Sequence, residues 1–304
     1  MLSLCYHKID VVQNDWTGIT TSPDTFRWQL QYLSENYHIN DVHNLPYEPG
    51  KQDVLITFDD GYADNYTNAL PILEELHIPA IFFVSTGHLD TDTEDWPNEL
   101  AWLILEGTRY PEVFNADSFS FETRSFDQRL EMHRNIEKVL IHASNTQRNA
   151  IMEAIRQWAD ADNRQKRKSF RMLSKAQLQA LSRSPYATIG AHTVNHPSLG
   201  ALCVEEQQYE ILESKRVIER AIGQDVSFFA YPFGGFVDYS KDTIQILKHA
   251  GFQKAFSTTY KRKTIEPSPY EIPRVCISES TCQEFIAKLD LYKEKTSYLY
   301  ECNL

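Results

Sequence analysis

The chain has 304 residues, 42% hydrophobic and 12% aromatic, which is enough apolar material for a sizeable core and excludes an intrinsically disordered chain. Lys and Arg number 30 against 42 Asp and Glu, a formal charge of −12, which argues against nucleic-acid binding because phosphate recognition needs clustered positive charge. The five cysteines (Cys5, Cys203, Cys276, Cys282 and Cys302) are odd in number, scattered and without a CxxC pair, so neither a disulfide framework nor a cysteine zinc site is expected.

In chain order, the N-terminus has no basic stretch followed by an apolar one, and no apolar run reaches the ~18 residues of a membrane span. The sequence as given therefore reads as cytoplasmic, with no signal peptide and no membrane span. Leu2–Tyr6 reads as a first strand, Phe26–Asn36 as a helix with Phe26, Leu30 and Leu33 on one face, and Val54–Phe58 as a buried strand. Ala69–Leu76 reads as a helix ended before Pro79, and Ala80–Ser85 as a strand. From about Leu89 to Ser184 no strong strand signal appears; acidic loop residues give way to amphipathic helices, roughly Phe126–Ala143 and Thr146–Asp160. The basic run Arg164 to Arg171 inside this stretch reads as a solvated helix end or loop. Thr188–Ala191, Phe228–Tyr231, Ala255–Thr258 and Ile272–Ile277 supply four more strands. Short strands, apolar on both faces and separated by helices, imply a parallel sheet. Seven of them imply a closed or nearly closed (β/α) barrel: one α/β domain over residues 1–304, with a helical insertion over about 89–184 that caps the barrel or walls a groove.

The chemistry sits at predicted strand ends, where barrel enzymes keep it. In ITFDDGY, Asp59 and Asp60 are adjacent carboxylates at the end of an apolar strand. They repel unless a cation or hydrogen bonds offset the charge, although Asp-Gly is also common in ordinary turns. In GAHTVNHP, His192 and His196 stand at i and i+4 after the strand TIGA, a spacing that puts both imidazoles on one face of a helical turn. Two histidines and one aspartate leave an open coordination position for water, the arrangement of a hydrolytic metal site.

TFDDG, then HTVNHP, then FAYPFG resemble the motifs of the polysaccharide deacetylase family (carbohydrate esterase family four), and the resemblance runs from Tyr6-His7 to about Ile277. It implies a distorted (β/α) barrel and one divalent metal, most commonly zinc. It implies Asp60, His192 and His196 as metal ligands, Asp59 as the general base, and the Phe233 backbone N–H as an oxyanion donor, with Tyr231 and Tyr62 on the substrate side. Two positions depart from the family. Ala230 stands where the third motif carries an Arg that orients the base, and Arg274, in EIPRV on a late strand, is the candidate replacement, although a surface Arg at a strand edge reads equally simply. No histidine follows Ile277, so the family's C-terminal general acid is missing. Tyr6-His7 resembles a counterpart near the N-terminus of the family's poly-N-acetylglucosamine deacetylase branch, which makes His7 the expected acid. His88, after STG, could instead contact substrate, and His249 reads as a structural residue near a helix C-terminus.

The expected function is removal of N-acetyl groups from a sugar or oligosaccharide, for surface glycan biosynthesis. Hydrolysis of another amide or a cyclic imide would use the same metal and water. A binding module with a degenerate site would require loss of a ligand or of the base, and all are present.

Overall fold

The structure is a computed structural model and describes residues 1–44, 52–116, 119–165, 167–259 and 268–300, the last seven of these in backbone only. Cys302 lies outside them.

Seven parallel strands form the barrel, each hydrogen-bonded to its neighbour in the sequence. They are Leu2–Tyr6, Asp53–Phe58, Ala80–Val84, Ala187–Ala191, Phe228–Ala230, Lys254–Ser257 and a closing segment. The closing segment is broken in two: Ile272–Pro273 pairs with the sixth strand, and Val275–Cys276 pairs with the first. Arg274 stands at the break, so the strand expected over Ile272–Ile277 changes partners at that residue and the sheet closes there. Pro273 has no N–H to donate, which suits a chain leaving one ladder for the next.

The strands are buried on both faces, as helices outside and side chains inside require. Leu2, Leu4 and Tyr6 face the helical layer with Ile56, Phe58, Phe82 and Phe229, whereas Leu55, Ile81, Phe83, Phe228, Ala230 and Phe256 fill the interior. The interior is tight: a Cβ at Gly190 would come 2.4 Å from the Phe83 ring. The first long helix, Pro23–Asn36, starts three residues earlier than expected, because Ser22 caps it and Pro23 fits its first turn. Residues Asn65–Ala69 form a π-helical turn leading into Leu70–Leu76.

Between the third and fourth barrel strands lies the insertion. It contains the two expected helices, Phe126–Ile141 and Asn145–Trp158, each opened by a serine capping box at Ser125 and Ser144. It also contains elements absent from the sequence reading: helices Trp96–Leu105 and Lys175–Leu181, and an antiparallel hairpin of Val113–Ala116 with Phe119–Glu122. The insertion has a core of its own, built on Trp96, Leu103, Phe114, Ile136, Leu140 and Ile155. Two arginines of the basic run turn to partners in it: Arg164 to the carbonyls of Trp102 and Leu103, and Arg167 to Glu94 and Glu106.

Candidate active site

Parallel strands all end at one rim, and that rim gathers the predicted residues. His7 follows the first strand, Asp59 and Asp60 the second, His192 the fourth and Phe233 the fifth, while Arg274 interrupts the closing segment. Among the described residues, seven non-glycine residues have positive φ, and four of them lie in these loops: Asp60 (70°), Thr193 (67°), His196 (51°) and Phe233 (60°). Such strain persists only where surrounding contacts over-determine it, and it clusters at functional sites.

Asp60, His192 and His196 converge. Asp60 Oδ1 lies 3.5 Å from His192 Nε2 and 3.3 Å from His196 Nε2. His192 Nδ1 is 2.8 Å from the Ala230 carbonyl, which can only accept, so Nδ1 carries the proton and the Nε2 lone pair faces the centre. Asp60 Oδ1 and His196 Nδ1 are buried and find no hydrogen-bond partner among the described residues. Burial pushes the Asp60 carboxyl up, with Asp95 and Asp59 adding to it, and burial pushes both imidazoles down. A buried carboxylate oxygen without a hydrogen-bond donor, beside the His192 lone pair and a second imidazole, is unfavourable as it stands. A divalent cation between the three residues removes that conflict, and one carboxylate with two imidazoles is a donor set that zinc and its neighbours accept. The residues therefore fit a metal ion.

Asp59 is placed quite differently. Arg274 Nη1 donates to its Oδ1 at 2.6 Å and Nη2 to its Oδ2 at 2.7 Å, a two-pronged charged pair in which Arg274 is 1% exposed and Asp59 3%. The alternative of a surface arginine is thus overturned. Burial alone would raise the Asp59 carboxyl, but the Arg274 charge, then His192 and the Arg274 hydrogen bonds, outweigh it and hold the group well below the usual carboxylate range. The Cys5 thiol also donates to Asp59 Oδ2 at 3.4 Å. Polar atoms of Cys5, His7 and Asp59 lie within 4.8 Å of one another. The Arg274 fork leaves Asp59 poorly disposed to bind a second ion there. Burial lowers His7 to about 4, with Asp59 pulling the other way and Arg274 and His192 adding to the fall.

Phe233 is half-buried, with its ring 4.9 Å from His196 and 6.1 Å from Trp96, and its amide N–H has no acceptor among the described residues. Tyr231 corrects the sequence reading. It packs on the helical side of the sheet, stacked on Tyr239 at 4.1 Å with its hydroxyl on the Tyr270 carbonyl, and is closed to a substrate. Tyr62 is also fully buried. Its hydroxyl accepts from Asn98 Nδ2 at 2.8 Å, and the same amide donates to Asp95, so Tyr62 supports the site rather than presenting itself to a ligand. His88 bonds Thr93 at the start of the insertion, and His249 bonds the Gln245 carbonyl in its own helix.

The sequence reading missed the residues around this centre. Trp96 donates to the His196 carbonyl at 3.2 Å, Thr193 Oγ1 accepts from the His196 N–H at 3.1 Å, and Glu210 accepts from the loop between the two histidines. Apart from Thr193, which stands inside the histidine motif, none carries a local signal, because each meets the site from a distant helix.

The profile of the family described as "Polysaccharide deacetylase" matches residues 47–113 and 123–255. A putative polysaccharide deacetylase of Bacillus subtilis (YxkH) is 21% identical over 234 residues, 76% of this chain and 53% of that protein. A Staphylococcus aureus protein named poly-beta-1,6-N-acetyl-D-glucosamine N-deacetylase is 24% identical over 245 residues, 81% of this chain and 61% of its own length. The chain thus spans little more than half the length of the curated relatives it matches. Among solved structures, the Streptococcus pyogenes deacetylase PplD in complex with acetate superposes with a TM-score of 0.59 at 20% identity, covering 95% of this chain and 97% of that one. IcaB from Ammonifex degensii does so with 0.58 at 19% identity, covering 96% of each. At these identities the superpositions establish the shared fold. No helix among the described residues is long and apolar enough to cross a membrane.

Proposed function

We propose that this chain, which belongs to the polysaccharide deacetylase family, hydrolyses the N-acetyl amide of a saccharide at the centre formed by Asp59, Asp60, His192 and His196. One observation carries this reading: two adjacent carboxylates stand in opposite electrostatic settings. Asp59 is neutralised by Arg274, whereas Asp60 turns an unpartnered oxygen towards two imidazoles.

Asp60, His192 and His196 would hold a divalent cation, zinc by its donor set, which supplies Lewis acidity to the acyl carbonyl and to water. Asp59 takes a proton from the attacking water, and Arg274 fixes the plane of that carboxylate and keeps it ionised. The free N–H of Phe233 donates to the acyl oxygen as it gains negative charge. The leaving nitrogen needs a proton, since an amide anion is a very poor leaving group. Polar atoms of Asp59 and His7 lie within 4.8 Å of each other, so the proton taken from water has a short path from the carboxylate to the ring. His7 then delivers it to nitrogen, and the products are acetate and a free amine. The name of the Staphylococcus relative supports a poly-N-acetylglucosamine-type substrate.

The test is acetate release from acetylated glucosamine oligomers by purified, zinc-loaded protein, beside a panel of cyclic imides and formamides. Acetate from the saccharides is the expected result. Turnover of an imide with none of any saccharide would move the assignment to another amide on the same scaffold.

A further inference from the structure

The loop that carries both histidines is strained and is gripped from behind by one carboxylate. Thr193 and His196 sit at φ of 67° and 51°, a region that costs about 1–3 kcal/mol for each such residue. Glu210, in the helix Val204–Ile222, is fully buried. Its Oε2 accepts from the main-chain N–H of Val194 at 2.8 Å and of Asn195 at 2.9 Å. Its Oε1 accepts from Asn195 Nδ2 at 2.8 Å and from Asn145 Nδ2 at 2.6 Å. Asn145 opens the insertion helix Asn145–Trp158, and one turn on, Arg148 bonds Asn145 Oδ1 and places a buried positive charge that Glu210 feels. A carboxylate withdrawn from water is costly without donors and a counter-charge, and an apolar side chain would pack this helix without either. All four hydrogen bonds go to the histidine loop or to the insertion.

We propose that Glu210 is the positioning residue of the His192–His196 loop: it offsets the strain at Thr193 and His196, sets the relation of the two imidazoles, and ties the insertion to the metal centre through Asn145. This rests on the reading that both histidines bind metal. Tying two successive main-chain N–H groups to one oxygen fixes the peptides on either side of Val194, so neither histidine can swing without breaking a charged hydrogen bond. Outer residues of this kind commonly change metal affinity by about 10–100-fold.

The test is a Co2+ titration of metal-free protein, read by visible absorption and by chelator competition. Glu210→Leu removes every acceptor. Glu210→Gln keeps one oxygen for the two main-chain amides, and the Asn195 side chain can rotate to accept from its NH2, whereas Asn145 is held by Arg148 and loses its acceptor. Both lose the charge beside Arg148, so both lose thermal stability without metal. The expected result is a split: Leu lowers Co2+ affinity by about 10–100-fold and changes the spectrum, while Gln stays within about threefold and keeps it. Glu210→Asp, which retains the charge but withdraws the oxygens, is read if Leu does not fold, and about a tenfold loss is expected. Wild-type affinity and spectrum in Leu or Asp, or an equal fall in Gln and Leu, overturns the proposal. His192→Ala binding Co2+ as tightly as wild type would instead strike the metal assignment, and the proposal with it.

Discussion

The barrel and the insertion are written in the sequence in different ways. The barrel strands are short, apolar on both faces and paired in sequence order, and their ends carry all the residues proposed for the chemistry. The insertion has a separate apolar core, and only a few side chains reach the rim from it, among them Trp96, Asn98 and Asn145. One region supplies reacting groups, and the other holds them in place. Changes in the barrel rim should therefore cost activity, with stability as well where a buried ion pair is broken, and changes inside the insertion should cost stability while leaving the metal site intact.

The largest effect expected at the rim short of the two aspartates is at His7. His7→Ala should lose about 10²–10⁴ in rate on an N-acetyl amide and far less on an activated ester, whose leaving group needs no proton. Equal losses on the two substrates would remove His7 as the proton donor. Arg274→Met leaves Asp59 as a buried carboxylate without its partner, and loss of one member of such a pair costs about 3–5 kcal/mol. A denaturant midpoint near wild type would show that Asp59 does not depend on the fork.

In the insertion, Ile136→Ala opens a cavity in a fully buried site and should cost about 2–5 kcal/mol while leaving metal stoichiometry unchanged. Loss of metal in that variant would erase the division between the regions. The smallest effect concerns acid. His133, buried in the insertion helix Phe126–Ile141, is lowered to about 4 by burial, with Arg134 adding to it. The unfolded chain binds this proton near pH ~6.5 and the folded chain only near 4. Stability is therefore lost as pH falls through that window and is untouched above it. His133→Phe should flatten part of the fall in Tm between these values; an unchanged fall would show that the ring titrates normally.

What the sequence disclosed follows from how locally each feature is encoded. Strands announce themselves by short two-faced apolar runs, and Asp59, Asp60, His192 and His196 by residue type just past a strand end; the two histidines meet on an irregular loop with Thr193 and His196 at positive φ, not on the helical turn their spacing suggested. Phe126–Ile141 and Asn145–Trp158 carry serine caps and a clear apolar face. The helix Trp96–Leu105 was hidden because eight of its ten residues are buried, which erases any periodicity. The misplacement of Tyr231 was avoidable: strand alternation puts it with Phe229 on the helical face and Phe228 with Ala230 inside. Glu210 could not be read at all. In VEEQQYEILESKR it looks like one more solvated acid, and only the path of the histidine loop buries it. The change of strand partner at Arg274 is equally non-local, since it depends on where the first and sixth strands meet.

The central claim is that two adjacent aspartates divide the work, Asp59 as base and Asp60 as ligand. The direct measurement compares Asp59→Asn and Asp60→Asn for metal bound per chain and for acetate released from acetylated glucosamine oligomers. The account predicts that Asp59→Asn keeps one metal ion and loses about 10²–10⁴ in turnover, while Asp60→Asn loses both. An Asp59→Asn protein that sheds its metal, or that keeps near-normal turnover with the metal bound, would contradict it.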